Sequence, residues 1–386
     1  MTLPIPDQTA LAHSDTVTQS LHQLIMNEGG LLSFTQFMEY VLYAPGLGYY
    51  SAGSHKLGKG GDFITAPEIS PLFAECVAKQ CEQILSELKT GDILELGAGS
   101  GIFAKDLLLA LEKSQCLPDH YFILEVSAEL RERQVQFLKA SLPHLFSRIK
   151  WLDTLPSEFT GIIFANEVMD AIPVNCFEMT PFGLQERCVA WENEQLVWQL
   201  APPTSTELAE QFVTLQHEFK FDVGYQSEIN SRLSGWISSL ADCLQKGVIL
   251  LLDYGYGRAE YYHPDRRCGT LMCFYQHHQH DNPFMLPGLQ DITAHVDFTS
   301  VIESAATAGM SLGGYTTQAS FLLACGLLEL SNQTSLSEVE YYQQNQAIKK
   351  LTLPSQMGEL IKAMALTKGV DLSLIGFALH DRSRDL

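Results

Sequence analysis

Apolar residues along this chain follow two rhythms, one recurring every third or fourth position and one filling consecutive positions. Residues 9–28 place Val17, Leu21, Leu24 and Ile25 at helical spacing, and residues 34–42 predict a second short helix that Ser33 would cap. The connection 44–61 is too glycine-dense for regular structure, and an amphipathic helix resumes over 70–88. From Gly91 the pattern alternates. Strands are expected at 92–96, 121–126, 149–152, 161–165 and 248–253, with helices at 102–112 and 128–141. Strands that are apolar on consecutive positions and separated by helices indicate a parallel sheet covered on both faces.

Two stretches break the alternation. Residues 176–200 read as antiparallel ribbons, with Phe177, Val189, Trp191, Leu196 and Trp198 alternating around a turn at Glu192-Asn193-Glu194. Residues 204–244 read as mostly helical. The tail leans to helix, with a helical end near 360–366 and a strand-like 373–379. The organisation expected is an N-terminal helical and glycine-rich segment, 1–90, that helps close the ligand site. An α/β core follows over 91–314, carrying an α+β insertion at 176–244 as a lid or partner-binding subdomain. A C-terminal helical extension, 315–386, completes it.

The strand Ile93-Leu94-Glu95-Leu96 runs into Gly97-Ala98-Gly99-Ser100-Gly101, and a helix follows. Glycines there let the backbone turn tightly against a ligand. The dinucleotide fingerprint G-x-G-x-x-G would need glycine where Ile102 stands, which disfavours a nicotinamide dehydrogenase. G-x-G-x-G with Glu95 two residues ahead resembles the cofactor motif of Rossmann-like class I methyltransferases that use S-adenosyl-L-methionine (SAM). SAM carries an amino group and a sulfonium, so a carboxylate close by fits its chemistry.

Glu125 ends the second strand, where a carboxylate can accept both ribose hydroxyls; a solvated strand-end glutamate is the alternative. Asp153, after the third strand, is a weaker candidate for the adenine amino group. Asn166, Glu167 and Asp170 follow the fourth strand, at the edge where open α/β sheets hold ligands. Glu167 and Asp170 are three apart. On a helical turn they would face the same way and could grip a guanidinium through its planar fork of donors; capping the next turn is the alternative.

Composition narrows the partners. The formal charge of −21 and the lack of a basic cluster argue against duplex nucleic acid. No apolar run approaches the roughly 20 residues of a membrane helix. The first twenty positions hold neither Lys nor Arg, which argues against a leader and for a cytoplasmic place. The nine cysteines form no C-x-x-C pair, and His277, His278 and His280 lack a spaced partner set, so reduced thiols and no metal are expected.

Several longer segments carry a family likeness. They are Gly61-Asp62-Phe63-Ile64-Thr65-Ala66-Pro67-Glu68-Ile69-Ser70, Leu252-Asp253-Tyr254-Gly255-Tyr256, Gly269-Thr270-Leu271, and the run from Pro287 through Asp291, His295 and Asp297 to Phe298. In this order, and with the motifs above, the chain resembles the MidA-like methyltransferases. Mitochondrial members of that family are complex I assembly factors that symmetrically dimethylate an arginine of a partner subunit. The resemblance implies that Thr65 and Glu68 lie near the cofactor with Glu125, Asn166 and Glu167. It places His295 and Asp297 in a loop closing over the substrate. The family phrase after Gly269-Thr270-Leu271 has an arginine near the histidine, and this chain reads Met272-Cys273-Phe274-Tyr275-Gln276-His277-His278 instead.

The expected function is SAM-dependent methylation of an arginine on a partner protein, with Glu167 and Asp170 on the guanidinium and His295 as a secondary positioning group. A SAM-binding assembly factor with little turnover and a small-molecule methyltransferase stand as alternatives, because fold alone names no substrate. The oligomeric state, a homodimer included, is left open.

Overall fold

The apolar runs of the core pair side by side in one sheet. The computed structural model describes residues 3–51, 64–332 and 336–386. Most of the glycine-dense connection, with Gly61-Asp62-Phe63 of the family motif, therefore lies outside the described residues. The chain divides into two compact units. One, the sheet unit, comprises Ile64–Val168, Ser234–Gly257 and Asp297–Leu386. The other comprises Met1–Phe63, Met169–Leu233 and Arg258–Val296.

In the sheet unit the strands are β1 (Asp92–Leu96), β2 (Tyr121–Leu124), β3 (Ile149–Leu152), β4 (Phe159–Asn166), β5 (Leu244–Tyr256), β6 (Ser311–Thr317) and β7 (Ile361–Lys368). They lie in the order β6-β7-β5-β4-β1-β2-β3. The five from β5 to β3 are parallel, and β7 runs antiparallel to both its neighbours. The alternation seen in the sequence is thus a parallel α/β sheet with an antiparallel strand inserted near one edge. Ile93, Ile162, Leu250 and Ala363 from four strands are buried with Val77, Leu107 and Leu138 from helices. The helices start where small polar residues can serve them. Ser70 caps Pro71–Leu88 by accepting from Leu72 N–H at 3.2 Å, and Ser127 caps Ala128–Ser141.

The C-terminal region holds the helices Gln318–Ala324, Leu327–Ser331 and Glu338–Thr352 of the expected extension and departs from it at the end. Residues 361–367 form the fully buried part of β7, between β5 and β6. A short, continuous apolar run has no period that tells a buried strand from a buried helix, and pairing with β5 over eight residues decides it. The strand-like segment 373–379 holds only the 3-10 turn Ile375–Phe377.

The second unit is built on antiparallel pairing. Asn175–Thr180 pairs with Gly183–Glu192 and with Gln226–Ile229, while Gly183–Glu192 also takes Gln195–Ala201 and Leu31–Leu32. Asn193 and Glu194 both adopt positive φ, 49° and 65°, which is the two-residue hairpin the sequence placed there. The strand Gln226–Ile229 interrupts the stretch expected to be mostly helical. The helices Gln8–Asn27 and Phe34–Tyr43 complete the layer. Val17, Leu21, Phe37 and Val189 share one core with Cys273 and Ile292. Residues 258–296, expected in the α/β core, belong to this unit and include a three-stranded sheet of Met272–Tyr275, His278–His280 and Asp291–Thr293. The histidine cluster is therefore a hairpin, turned by Gln276 and His277 at φ 44° and 63°. The helix Pro71–Leu88, assigned from sequence to the N-terminal segment, packs into the sheet unit.

Candidate cofactor site

The glycine loop forms because three glycines take a backbone that other residues resist. Gly97, Gly99 and Gly101 have φ of 66°, 55° and 81° between β1 and the helix Ile102–Lys113. Gly97 N–H donates to Leu124 O at 3.0 Å, which ties the loop to the end of β2. Glu68, on the short helix Ala66–Ile69, accepts a hydrogen bond from the Ser100 hydroxyl. Thr65 stands at the N-cap of that helix without a side-chain cap bond.

Glu125 follows β2. It accepts from Ser127 N–H at 3.0 Å and from Gln134 Nε2 at 2.9 Å, and burial pushes its carboxyl above the ordinary range. Val126 beside it is 79% exposed, an apolar surface next to a carboxylate. Asp153 is highly exposed and pairs with Arg131.

Asn166 ends β4 and its Nδ2 donates to Glu167 Oε1 at 3.0 Å. The same oxygen accepts from Ala66 N–H at 3.3 Å. Asn166 Oδ1 is buried and has no hydrogen-bond partner among the described residues. A buried acceptor without a donor is costly, so this atom suits a ligand donor such as an ammonium. Glu167 has φ 52°, so residues 167–170 are not the helical turn that would align Glu167 with Asp170. Its N–H donates to Leu252 O at 2.8 Å.

The structure places Thr65, Glu68, Gly97, Gly99, Gly101, Glu125, Asn166 and Glu167 in the sheet unit. All but Thr65 and Glu68 stand at or just after the ends of β1, β2 and β4. Glu68 is bonded to Ser100, and Thr65 precedes Ala66, which is bonded to Glu167. Glu95 has a different setting. It is buried within β1, accepts from the Tyr121 hydroxyl at 2.7 Å, and burial pushes its carboxyl up to about 8. Asp170 and His295 belong to the second unit. There Ala294 N–H donates to Asp170 O at 2.9 Å, and His295 N–H donates to Thr270 Oγ1 at 3.0 Å. Asp297 caps the helix Phe298–Thr307, accepting from Thr299 and Ser300 N–H.

A family model of S-adenosyl-L-methionine-dependent methyltransferases matches residues 76–316. The chain belongs to this family. The methyltransferase is also similar to a structure from Burkholderia thailandensis bound to S-adenosyl-homocysteine, at 40% identity and TM-score 0.96, with both chains covered in full. Among curated proteins it is 30% identical to the mitochondrial protein arginine methyltransferase NDUFAF7 of Homo sapiens, over 91% of this chain and 83% of that one. The Drosophila melanogaster homologue is 28% identical, over 95% and 88%. The fold is the class I methyltransferase fold and the cofactor is SAM.

The residues present fit that cofactor. The glycine loop offers close backbone approach, Glu125 offers a carboxylate to ribose hydroxyls, and Asn166 Oδ1 offers a buried acceptor. Sequence reading gave no role to Gln134, nor to Ser100 and Asp253 within the motifs that contain them. Gln134 and Ser100 are ordinary polar residues in a helix and a loop, and only the folded bonding marks them. Asp253 closed an apolar strand in the sequence, and its fixing of the Val168 N–H shows only in the structure.

Among the described residues no group of His, Cys, Asp and Glu is placed to hold a metal ion, and no helix is long and apolar enough to cross a membrane.

Proposed function

We propose that this methyltransferase transfers the methyl group of SAM to an arginine of a partner protein. The observation that carries this reading is similarity over 91% of the chain to a human protein named as an arginine methyltransferase. Glu167 supports it, because its carboxylate stands at the carboxyl end of β4, where sheets of this kind present ligand groups.

Bound SAM supplies an electrophilic methyl on sulfur. Arginine stays protonated in water, so its nitrogens are poor nucleophiles until the charge is drawn to one side. Glu167 would accept from guanidinium N–H groups and draw positive charge toward them. The third nitrogen then takes the methyl as the carbon–sulfur bond breaks and S-adenosyl-homocysteine leaves. The proton lost from the methylated nitrogen passes to a carboxylate or to water. Holding the nitrogen in line with the methyl supplies much of the rate. Asp170 and His295 are proposed to help position the substrate.

The test incubates the purified protein with SAM carrying a labelled methyl group and an extract of protein substrates. Label in methylarginine, lost with Glu167→Gln while S-adenosyl-homocysteine still binds, supports the reading. Label that appears only in small molecules, or in residues other than arginine, overturns it.

A further inference from the structure

Gln134 lies in the helix Ala128–Ser141 and its side chain is completely buried. Its Nε2 donates to Gly99 O at 2.9 Å and to Glu125 Oε2 at 2.9 Å. Its Oε1 accepts from Trp151 Nε1 at 3.0 Å, in β3. The indole is a donor only, so the amide oxygen must face Trp151 and the two amide hydrogens must face the loop carbonyl and the carboxylate. Each polar atom of this buried amide is therefore used, and the orientation of the amide is fixed from three sides. The same helix backs the loop a second time, since a Cβ at Gly101 would lie 3.5 Å from Leu138 and Phe137.

We propose that Gln134 is a positioning residue for the cofactor: it locks the Glu125 carboxylate to the glycine loop so that both arrive pre-set for the ribose and the adjoining part of SAM. This rests on the reading of Glu125 as the ribose ligand. Glu125 is half-buried and needs donors to stay aimed, and Gly99 holds a positive φ that a bond to its carbonyl helps keep. One amide serves both. Loss of the amide releases the carboxylate and the loop together, so its effect and that of the carboxylate must overlap rather than multiply. Outer-shell partners of metal ligands are worth roughly 10–100-fold in affinity, and an amide that orients a ribose carboxylate acts by the same logic.

The experiment is calorimetric titration with S-adenosyl-homocysteine of the full chain and of Gln134→Met, Glu125→Gln, the double variant and Gln134→Glu, each checked for cooperative unfolding. Gln134→Met is expected to weaken binding by about tenfold or more. The double variant is expected to fall short of the product of the two single losses. Gln134→Glu is expected to regain affinity relative to wild type as pH falls from 8 to 5, because its protonated acid restores one donor; a side chain that only fills space gives no such pH response. Folded Gln134→Met that binds within twofold of wild type overturns the proposal, as does full multiplication in the double variant. A silent Glu125→Gln beside a weakened Gln134→Met overturns the ribose assignment instead, so the two failures are distinct.

Discussion

Asp253 accepts the Val168 N–H on Oδ2 at 3.1 Å, and so fixes the residue immediately after Glu167, whose φ is 52°. Asp253 is buried at the end of β5 and its Oδ1 accepts from Tyr254 N–H at 2.8 Å. A glutamate in the left-handed region costs on the order of 1–2 kcal/mol, so the turn persists because Asp253 and the bond from Glu167 N–H to Leu252 O hold it. Asp253→Ala removes the carboxylate that the Val168 and Tyr254 N–H groups meet and should destabilise the fold by about 1–3 kcal/mol. A comparison at Glu167 separates strain from chemistry. Glu167→Gly should be more stable than Glu167→Ala by about 1 kcal/mol, since only glycine relaxes the backbone, while methyl transfer is lost in both. Equal stability of the two variants in denaturant titrations would contradict the strained turn.

The Glu95 carboxyl gives stability a pH dependence of definite sign. Its folded pKa is pushed up to about 8 by burial, against an ordinary value of 4.5. Between those values the folded state holds a proton that the unfolded chain has released. Folding then takes up a proton, so this group's contribution is present at low pH and is lost as pH rises through about 8. Glu95→Gln has no proton to lose. The stability of Glu95→Gln relative to wild type should therefore rise between pH 5 and pH 9, read as the difference in Tm. A difference that stays flat across that range rules the buried acid out.

Gly161 opens the buried part of β4 at φ 146°, and a Cβ there would lie 1.9 Å from Asp92 O. The neighbouring β5 repeats the device, with a Cβ on Gly247 at 1.9 Å from Gly161 O. These are backbone collisions, and no rotamer relieves them. Gly161→Ala should cost more than about 4 kcal/mol, in the range reserved for broken cores, and should yield mostly insoluble protein. By contrast Gly101→Ala meets Leu138 and Phe137 only at ordinary contact distance, so it should cost about 1–2 kcal/mol from φ alone. Similar solubility and Tm for the two variants would defeat the distinction.

The legible parts of this molecule are those where the signal is local. The strand Asp92–Leu96, the glycines behind it and the helix Ala128–Ser141 follow from period and turn chemistry within a few residues. The Asn193-Glu194 hairpin is local in the same way. What stayed hidden depends on pairing at a distance. Residues 361–368 became a strand only by lying against β5, and Gln134 became part of the cofactor site only by meeting Gly99, 35 positions away. The positive φ of Glu167 has no sequence mark, since glycine or asparagine would have been the usual sign. For the same reason the alignment of Glu167 with Asp170 on a helical turn did not follow from their spacing.

The loop of His295 is held from the second unit's own interior, through Glu228 and Thr270. Glu228 is buried and accepts from Thr270 N–H at 2.9 Å and from Thr270 Oγ1 at 3.0 Å, while Thr270 Oγ1 accepts from His295 N–H at 3.0 Å. Thr270→Val keeps the shape but removes the hydroxyl's bonds to Glu228 and His295 and its contact with the Tyr261 hydroxyl at 3.3 Å, at about 1–3 kcal/mol for each buried group left unmet. Burial raises the pKa of Glu228, and the Thr270 donors work against that rise by favouring the ionised form. Removing the hydroxyl raises the folded pKa further. A group with a raised folded pKa loses its contribution as pH climbs, so the variant should fall behind wild type more at high pH than at low pH. Urea titrations of both proteins at pH 5.5 and 8.5 read the gap directly. A wider gap at 8.5, with methyl transfer reduced more than S-adenosyl-homocysteine binding, fits a loop that serves the substrate. A gap of equal size at both values means that Glu228 is not the group Thr270 holds in its ionised state, and the link from Glu228 to His295 must then be abandoned.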